Sequence, residues 1–183
     1  MRYNIETIRR IVRENHATPI IYFWGHTPNP AKITAACFSQ WYDCYFVVDD
    51  TVYHTAEQYM MAGKAKLFGD EEVLQKIMEA TNPFDYKKLG RKIRGYDQAA
   101  WDARKYDLVV EGNVAKFSQN QQLKEFLLST GDAILAEASP YDKIWGIGLT
   151  REDALKGTVS DWNGENILGC VLMDTRDRLR MNV

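Results

Sequence analysis

The chain has 183 residues, of which 45% are hydrophobic and 26% charged, a balance that suits one globular domain with a buried core and excludes a disordered chain. A formal net charge of -2 excludes a whole-molecule basic field of the kind that holds bulk nucleic acid, while leaving room for a local phosphate pocket. Cys37, Cys44 and Cys170 lack CxxC spacing, and His16, His26 and His54 lack partners at metal spacing, so neither a disulfide framework nor a bound metal is expected, and no cofactor. The first fifteen residues are charged throughout, without the apolar centre of a signal peptide, and no apolar run is long enough to cross a membrane. A cytoplasmic protein in a reducing compartment is expected.

In chain order, Ile5, Ile8, Ile11 and Val12 fall on one face of a short helix over 3–15. Ile20 to Trp24 reads as a strand entering the loop Gly25-His26-Thr27-Pro28-Asn29-Pro30. Cys44–Val48 and Thr51–His54 flank Asp49-Asp50 as a β-hairpin. Thr55 and Gln58 have capping-box spacing and open a helix to about Phe68. Asp70 caps a helix to Glu79, Asn82-Pro83 starts one that should stop near Gly95, and Asp97 starts a longer one to Phe117. Gln121–Leu128 continues helical, Ala133–Ala138 fits strand or helix, 161–164 reads as loop, and Asn166–Arg180 closes the chain as a helix. The expected fold is a mainly helical α+β single domain with a small β-sheet.

Four segments carry chemistry-bearing residues. Phe23-Trp24-Gly25-His26, followed by Phe38-Ser39-Gln40-Trp41, suits either the wall of a flat-ligand site or the packing of the sheet. In the helix opened by Thr55, positions 57, 60, 61 and 64 share one face, so Glu57 and Lys64 flank Met60 and Met61. A first-turn glutamate is commonly solvated; held against apolar surface, it becomes a candidate acid/base group. The basic run Lys87-Lys88-Leu89-Gly90-Arg91-Lys92-Ile93-Arg94, with Trp101 and Arg104-Lys105 beyond it, is either a solvated face or a phosphate clamp with a stacking ring beside it. Glu137-Ala138-Ser139-Pro140-Tyr141-Asp142-Lys143-Ile144-Trp145-Gly146-Ile147-Gly148 offers further acids and two glycines that let backbone approach a ligand. It does not fit a dinucleotide fingerprint.

Taken in order, Phe-Trp-Gly, Phe-Ser-Gln-Trp, Thr-Ala-Glu-Gln-Tyr-Met-Met-Ala-x-Lys-Ala, Leu-Gly-Arg, Trp101, Lys116-Phe117, Glu-Ala-Ser-Pro-x-Asp-x-x-Trp-Gly-Ile-Gly and Trp-x-Gly-x-Asn-x-Leu-Gly resemble the NADAR (YbiA-like) family over residues 20–180. The resemblance implies one domain over 1–183 and hydrolysis of the bond between ribose C1 and an amine-bearing base. The implied substrates are phosphoribosylamino-pyrimidine intermediates of riboflavin synthesis, or ADP-ribose attached to guanine in nucleic acid. It implies Glu57 and Asp142 as catalytic, and Phe23, Trp24, Gly25, Lys64, Arg91, Trp101, Trp145 and Gly146 as substrate-binding. Where the family has serine-asparagine, this chain has Ser39-Gln40, which leaves the role of Gln40 open. A module that binds ADP-ribose or a nucleotide without turnover is the alternative from another functional class.

Overall fold

The computed structural model describes residues 2–181. Its elements are α1 (Ile5–Glu14), β1 (Ile20–Phe23), β2 (Phe46–Val48), β3 (Thr51–Tyr53), α2 (Ala56–Leu67), α3 (Glu71–Glu79), α4 (Pro83–Gly90), α5 (Gln98–Gln119), α6 (Gln121–Ser129), β4 (Ile134–Glu137), α7 (Arg151–Ala154) and α8 (Ile167–Met181). The mainly helical α+β expectation holds. The strands, however, form two separate two-stranded sheets, β1 with β4 in parallel and β2 with β3 antiparallel.

The chain divides into two compact units. Residues 40–120 form an inserted unit, and the segments up to Ser39 and from Gln121 form a split unit around it in sequence.

Within the inserted unit α2 is the centre, packed by α3, α4 and α5. Eight of its twelve residues are buried, which explains why its apolar residues run round the helix rather than along one stripe. The β2–β3 hairpin turns at Asp49 and Asp50, both in the left-handed region (φ 49° and 58°), the conformation a two-residue type I′ turn demands and aspartate tolerates. Gln119 at the end of α5 closes the unit by bonding both the N–H and the carbonyl of Val47, each at 2.8 Å.

α4 stops at Gly90, short of the stop expected near Gly95. A side chain at Gly90 would place its Cβ 2.1 Å from the Met61 sulfur, so α2 already fills the space there. Gly95, with φ 68°, serves the following loop instead.

Within the split unit, Ile20↔Ile134 to Phe23↔Glu137 set the parallel register, and α8 packs on β4. Ala133–Ala138, open between helix and strand in the sequence, is therefore strand over Ile134–Glu137. Ile167, Val171, Leu172 and Leu179 of α8 are buried. Three short elements escaped the sequence reading: a 3-10 turn at Ala35–Phe38, the single helical turn α7, and a 3-10 turn at Val159–Asp161, whose last residue begins the stretch expected to be loop. The three cysteines are buried and are not joined in a disulfide. No helix of the described residues is long and apolar enough to cross a membrane.

Candidate active site

Glu57 occupies the first turn of α2 and is only 4% exposed, so the solvated alternative is excluded. Thr55 caps the helix by accepting the Gln58 N–H (3.1 Å). The Gln58 amide then reaches one residue further back than a capping box requires, accepting the His54 N–H at 2.8 Å, while its Nε2 donates to the Ile77 carbonyl. The N–H of Glu57 donates to the Gln40 carbonyl at 2.9 Å. The position is thus fixed from the helix cap and from the preceding loop.

Down the same face, Met60 and Met61 are buried and Lys64 is half-buried. The Lys64 ammonium donates to the Gly90 carbonyl (3.1 Å) and lies 4.3 Å from the centre of the Tyr96 ring and 5.5 Å from that of Trp101. Such cation–π contacts retain a cation that has lost part of its hydration. Burial pushes the Lys64 pKa below its usual value, and the negative charge of Glu57 pushes it partly back. The ammonium and indole expected from the sequence are therefore brought together beside α2, with Trp101 itself buried, and the carboxylate lies on the same face of the helix. Tyr96 and the Gly90 carbonyl complete the surroundings of Lys64. Sequence reasoning missed Tyr96, and it met Gly90 only as part of the basic run and of the Leu-Gly-Arg motif.

Arg91 directly follows Gly90 and is exposed. The basic run does not act as one clamp. Arg94 is forked onto Asp70 (2.7 and 3.1 Å), Arg104 is paired with Glu111, Lys105 with Asp102, and Lys87 stands over the Trp41 ring. Lys88, Arg91 and Lys92 remain as exposed cations.

The other expected residues belong to the split unit. Phe23 ends β1 opposite Glu137, which ends β4, so the loops beginning at Trp24 and Ala138 leave the same C-terminal edge of the parallel pair. That edge is where open parallel sheets receive ligands. Phe23 is buried, Trp24 is 66% exposed, and Gly25 turns the chain with φ 79°. One oxygen of Asp142 accepts the N–H groups of Ile144 (2.9 Å) and Trp145 (2.8 Å), so this aspartate orders the loop that presents Trp145. A Cβ on Gly146 would lie 2.9 Å from the carbonyls of Asp142 and Glu137, which explains the glycine.

The closing motif, Trp162-x-Gly164-x-Asn166-x-Leu168-Gly169, is architectural. Asn166 is buried with φ 53°; its amide donates to the Leu135 carbonyl (2.9 Å) and accepts the Glu137 N–H (3.0 Å). Gly164 and Gly169 allow backbone contacts that a Cβ would block, at 2.2 Å from the Gly146 carbonyl and 2.0 Å from the Leu135 carbonyl.

A cavity of about 370 Å³ opens on the opposite face of α2, lined among others by Tyr59, Lys66, Arg104 and Glu111. Its charges are largely spent on neighbours: Arg104 on Glu111, Lys66 on the Tyr53 hydroxyl. Arg104 of the basic stretch lines it, but none of the site residues implied by the family resemblance does. Among the described residues no cluster of three or more His, Cys, Asp or Glu is placed to hold a metal.

The NADAR domain model matches residues 22–180. The chain belongs to the NADAR family. A relative named N-glycosidase R617, from Acanthamoeba polyphaga mimivirus, is 45% identical over 162 residues, covering 86% of this chain and 94% of its own. Riboflavin biosynthesis protein VVA0006 of Vibrio vulnificus is 30% identical over 92% of this chain, which spans only 41% of that protein. The solution structure of YbiA from E. coli superposes with a TM-score of 0.72 at 26% identity, covering 90% of this chain and 87% of YbiA. The fold is thus YbiA-like, and within the NADAR family the chain is of the N-glycosidase type.

Proposed function

We propose that the chain hydrolyses the C1–N bond of an N-ribosylated base, with Glu57 as its principal catalytic carboxylate. The observation that supports this most is the burial of Glu57 at the head of α2, on the helix face that also carries Lys64, which is itself flanked by Trp101 and Tyr96. A buried carboxylate costs several kcal/mol unless charges and hydrogen bonds offset it, so an arrangement that retains one needs a reason. Departure of the base leaves positive charge at C1 of the ribose, and a fixed carboxylate stabilises that charge or takes a proton from the attacking water. In the balanced step the C1–N bond breaks, the water oxygen bonds to C1, and the proton taken from water returns to the departing nitrogen.

In this reading the inserted unit offers Trp101 as a ring to stack on the base, with Lys64 and Arg91 for phosphate. For the split unit, taken by itself, the proposed roles are substrate binding by Phe23, Trp24, Gly25, Trp145 and Gly146, with Asp142 as the second carboxylate, orienting the sugar. The whole chain is proposed to act as one NADAR domain preceded by α1. Two substrates carry the required bond: ADP-ribose on guanine in nucleic acid, and a phosphoribosylamino-pyrimidine. The name of the Vibrio vulnificus relative favours testing the second beside the first.

The test is incubation with each substrate and mass spectrometry of the released base. Release from either is expected, and Glu57→Gln should lower kcat by at least about 100-fold while ligand binding stays measurable. Tight product binding with no turnover on either substrate would instead establish the non-catalytic module.

A further inference from the structure

We infer that Asn113 is a positioning residue: through a reciprocal amide pair with Gln40, it fixes the main chain that holds Glu57 at the head of α2. The inference rests on the reading of Glu57 as the catalytic carboxylate. Asn113 lies in α5 and is fully buried; Gln40 is 6% exposed. The Gln40 Nε2 donates to Asn113 Oδ1 at 3.1 Å, and the Asn113 Nδ2 donates to Gln40 Oε1 at 3.2 Å. The same Nδ2 donates to the Val109 carbonyl at 2.8 Å, one turn back in α5, so Asn113 is locked to its own helix. Both of its N–H groups and its carbonyl are thereby used.

The Gln40 carbonyl in turn accepts the Glu57 N–H. That N–H is one of the first four of α2, which no residue of the helix can satisfy, and Thr55 has already spent its hydroxyl on Gln58. The chain of contacts therefore runs from a 22-residue helix, through two buried amides, to the backbone of the carboxylate. α5 also carries Trp101, so one rigid element sets both the carboxylate and an aromatic neighbour of Lys64. A pair buried only for packing needs no amides, since two apolar side chains of that size fill the same space without a desolvation cost. Directional bonds add something apolar contact lacks, which is a fixed register of the Gln40 backbone against α5.

The double variant Gln40→Leu/Asn113→Leu separates positioning from folding, because replacing both partners with apolar groups of similar shape is nearly neutral for stability. Turnover is measured about ten degrees below the Tm of each variant, where a two-state domain is folded. The expected result is a kcat lowered at least about tenfold with KM held within about twofold, the pattern of a misplaced reacting group rather than lost binding. The swapped pair Gln40→Asn/Asn113→Gln, which keeps the reciprocal amides, should recover most of that loss. If the leucine pair does not fold, Gln40→Met, unbranched and of similar volume, carries the same measurement with the same expectation. A kcat within about twofold of wild type in the folded leucine or methionine variant overturns the inference. Glu57→Gln, assayed alongside, separates the two levels. If it is inactive while the amide variants turn over normally, only the positioning role falls; if it turns over at the wild-type rate, the catalytic reading and the positioning role fall together.

Discussion

At the scale of single residues, burial of a polar group has to be matched by partners, and the matches here lie far apart in sequence. Glu57 and Lys64 lie on one face of α2, a relation helix spacing makes legible. Gln40 and Asn113 lie 73 positions apart, and nothing local to either reports the other. The polar residues of the closing motif read in sequence as family signature; the structure gives them backbone work instead. Gly169 tests that account. Alanine is worth about 1 kcal/mol more than glycine inside a helix, so on propensity alone Gly169→Ala should stabilise α8. Its Cβ would stand 2.0 Å from the Leu135 carbonyl, a backbone atom that cannot swing aside. The clash outweighs the propensity, and Gly169→Ala is expected to cost at least about 2 kcal/mol net. In a thermal melt that corresponds to a Tm lower by about 4 °C or more. An unchanged or raised Tm would show that α8 moves freely off β4.

Among elements, the helices announced their starts better than their ends. Thr55, Asp70, Asn82 and Asp97 each cap the helix expected of them, because a cap is a local bond between neighbours in sequence. α4 ends at Gly90, where it passes close to Met61 of another helix, an approach no local signal encodes. Asp70 also shows how one cap ties elements together: beyond Val73 of α3 it accepts the backbone N–H of Arg94 and both arms of its guanidinium. Those side-chain bonds, foremost among the causes, hold the Asp70 carboxyl far below the usual carboxylate range. A carboxyl depressed in the folded state contributes stability fully above its unfolded value of about 4, and that contribution fades as pH falls toward the folded value. Arg94→Ala should therefore lower the Tm at pH 7, and the gap from wild type should narrow below about pH 4. A gap constant from pH 7 to pH 2.5, followed by circular dichroism, would assign the effect to lost packing instead.

For the molecule as a whole, a net charge of -2 conceals the exposed trio Lys88, Arg91 and Lys92 beside Gly90. If nucleic acid bearing ADP-ribose is the substrate, these cations displace counterions, and kcat/KM falls with added salt. Arg91→Ala should then flatten the log–log salt slope by about one; a mononucleotide substrate should show little slope in either protein. The two-unit organisation was not legible, because the sequence carries no linker or composition break at Ser39 or Asn120. The parallel pairing of β1 with β4 across the insertion was equally hidden, since periodicity reports a strand but not its partner. That pairing leaves β4 with an outer edge, and an exposed edge is a template on which another chain can add a strand. Here the Leu135 carbonyl and the Glu137 N–H are occupied by the Asn166 amide, and the Glu137 carbonyl receives the N–H of Ile147. One asparagine and one loop thus occupy the backbone groups on which the strand of a second molecule would have to pair.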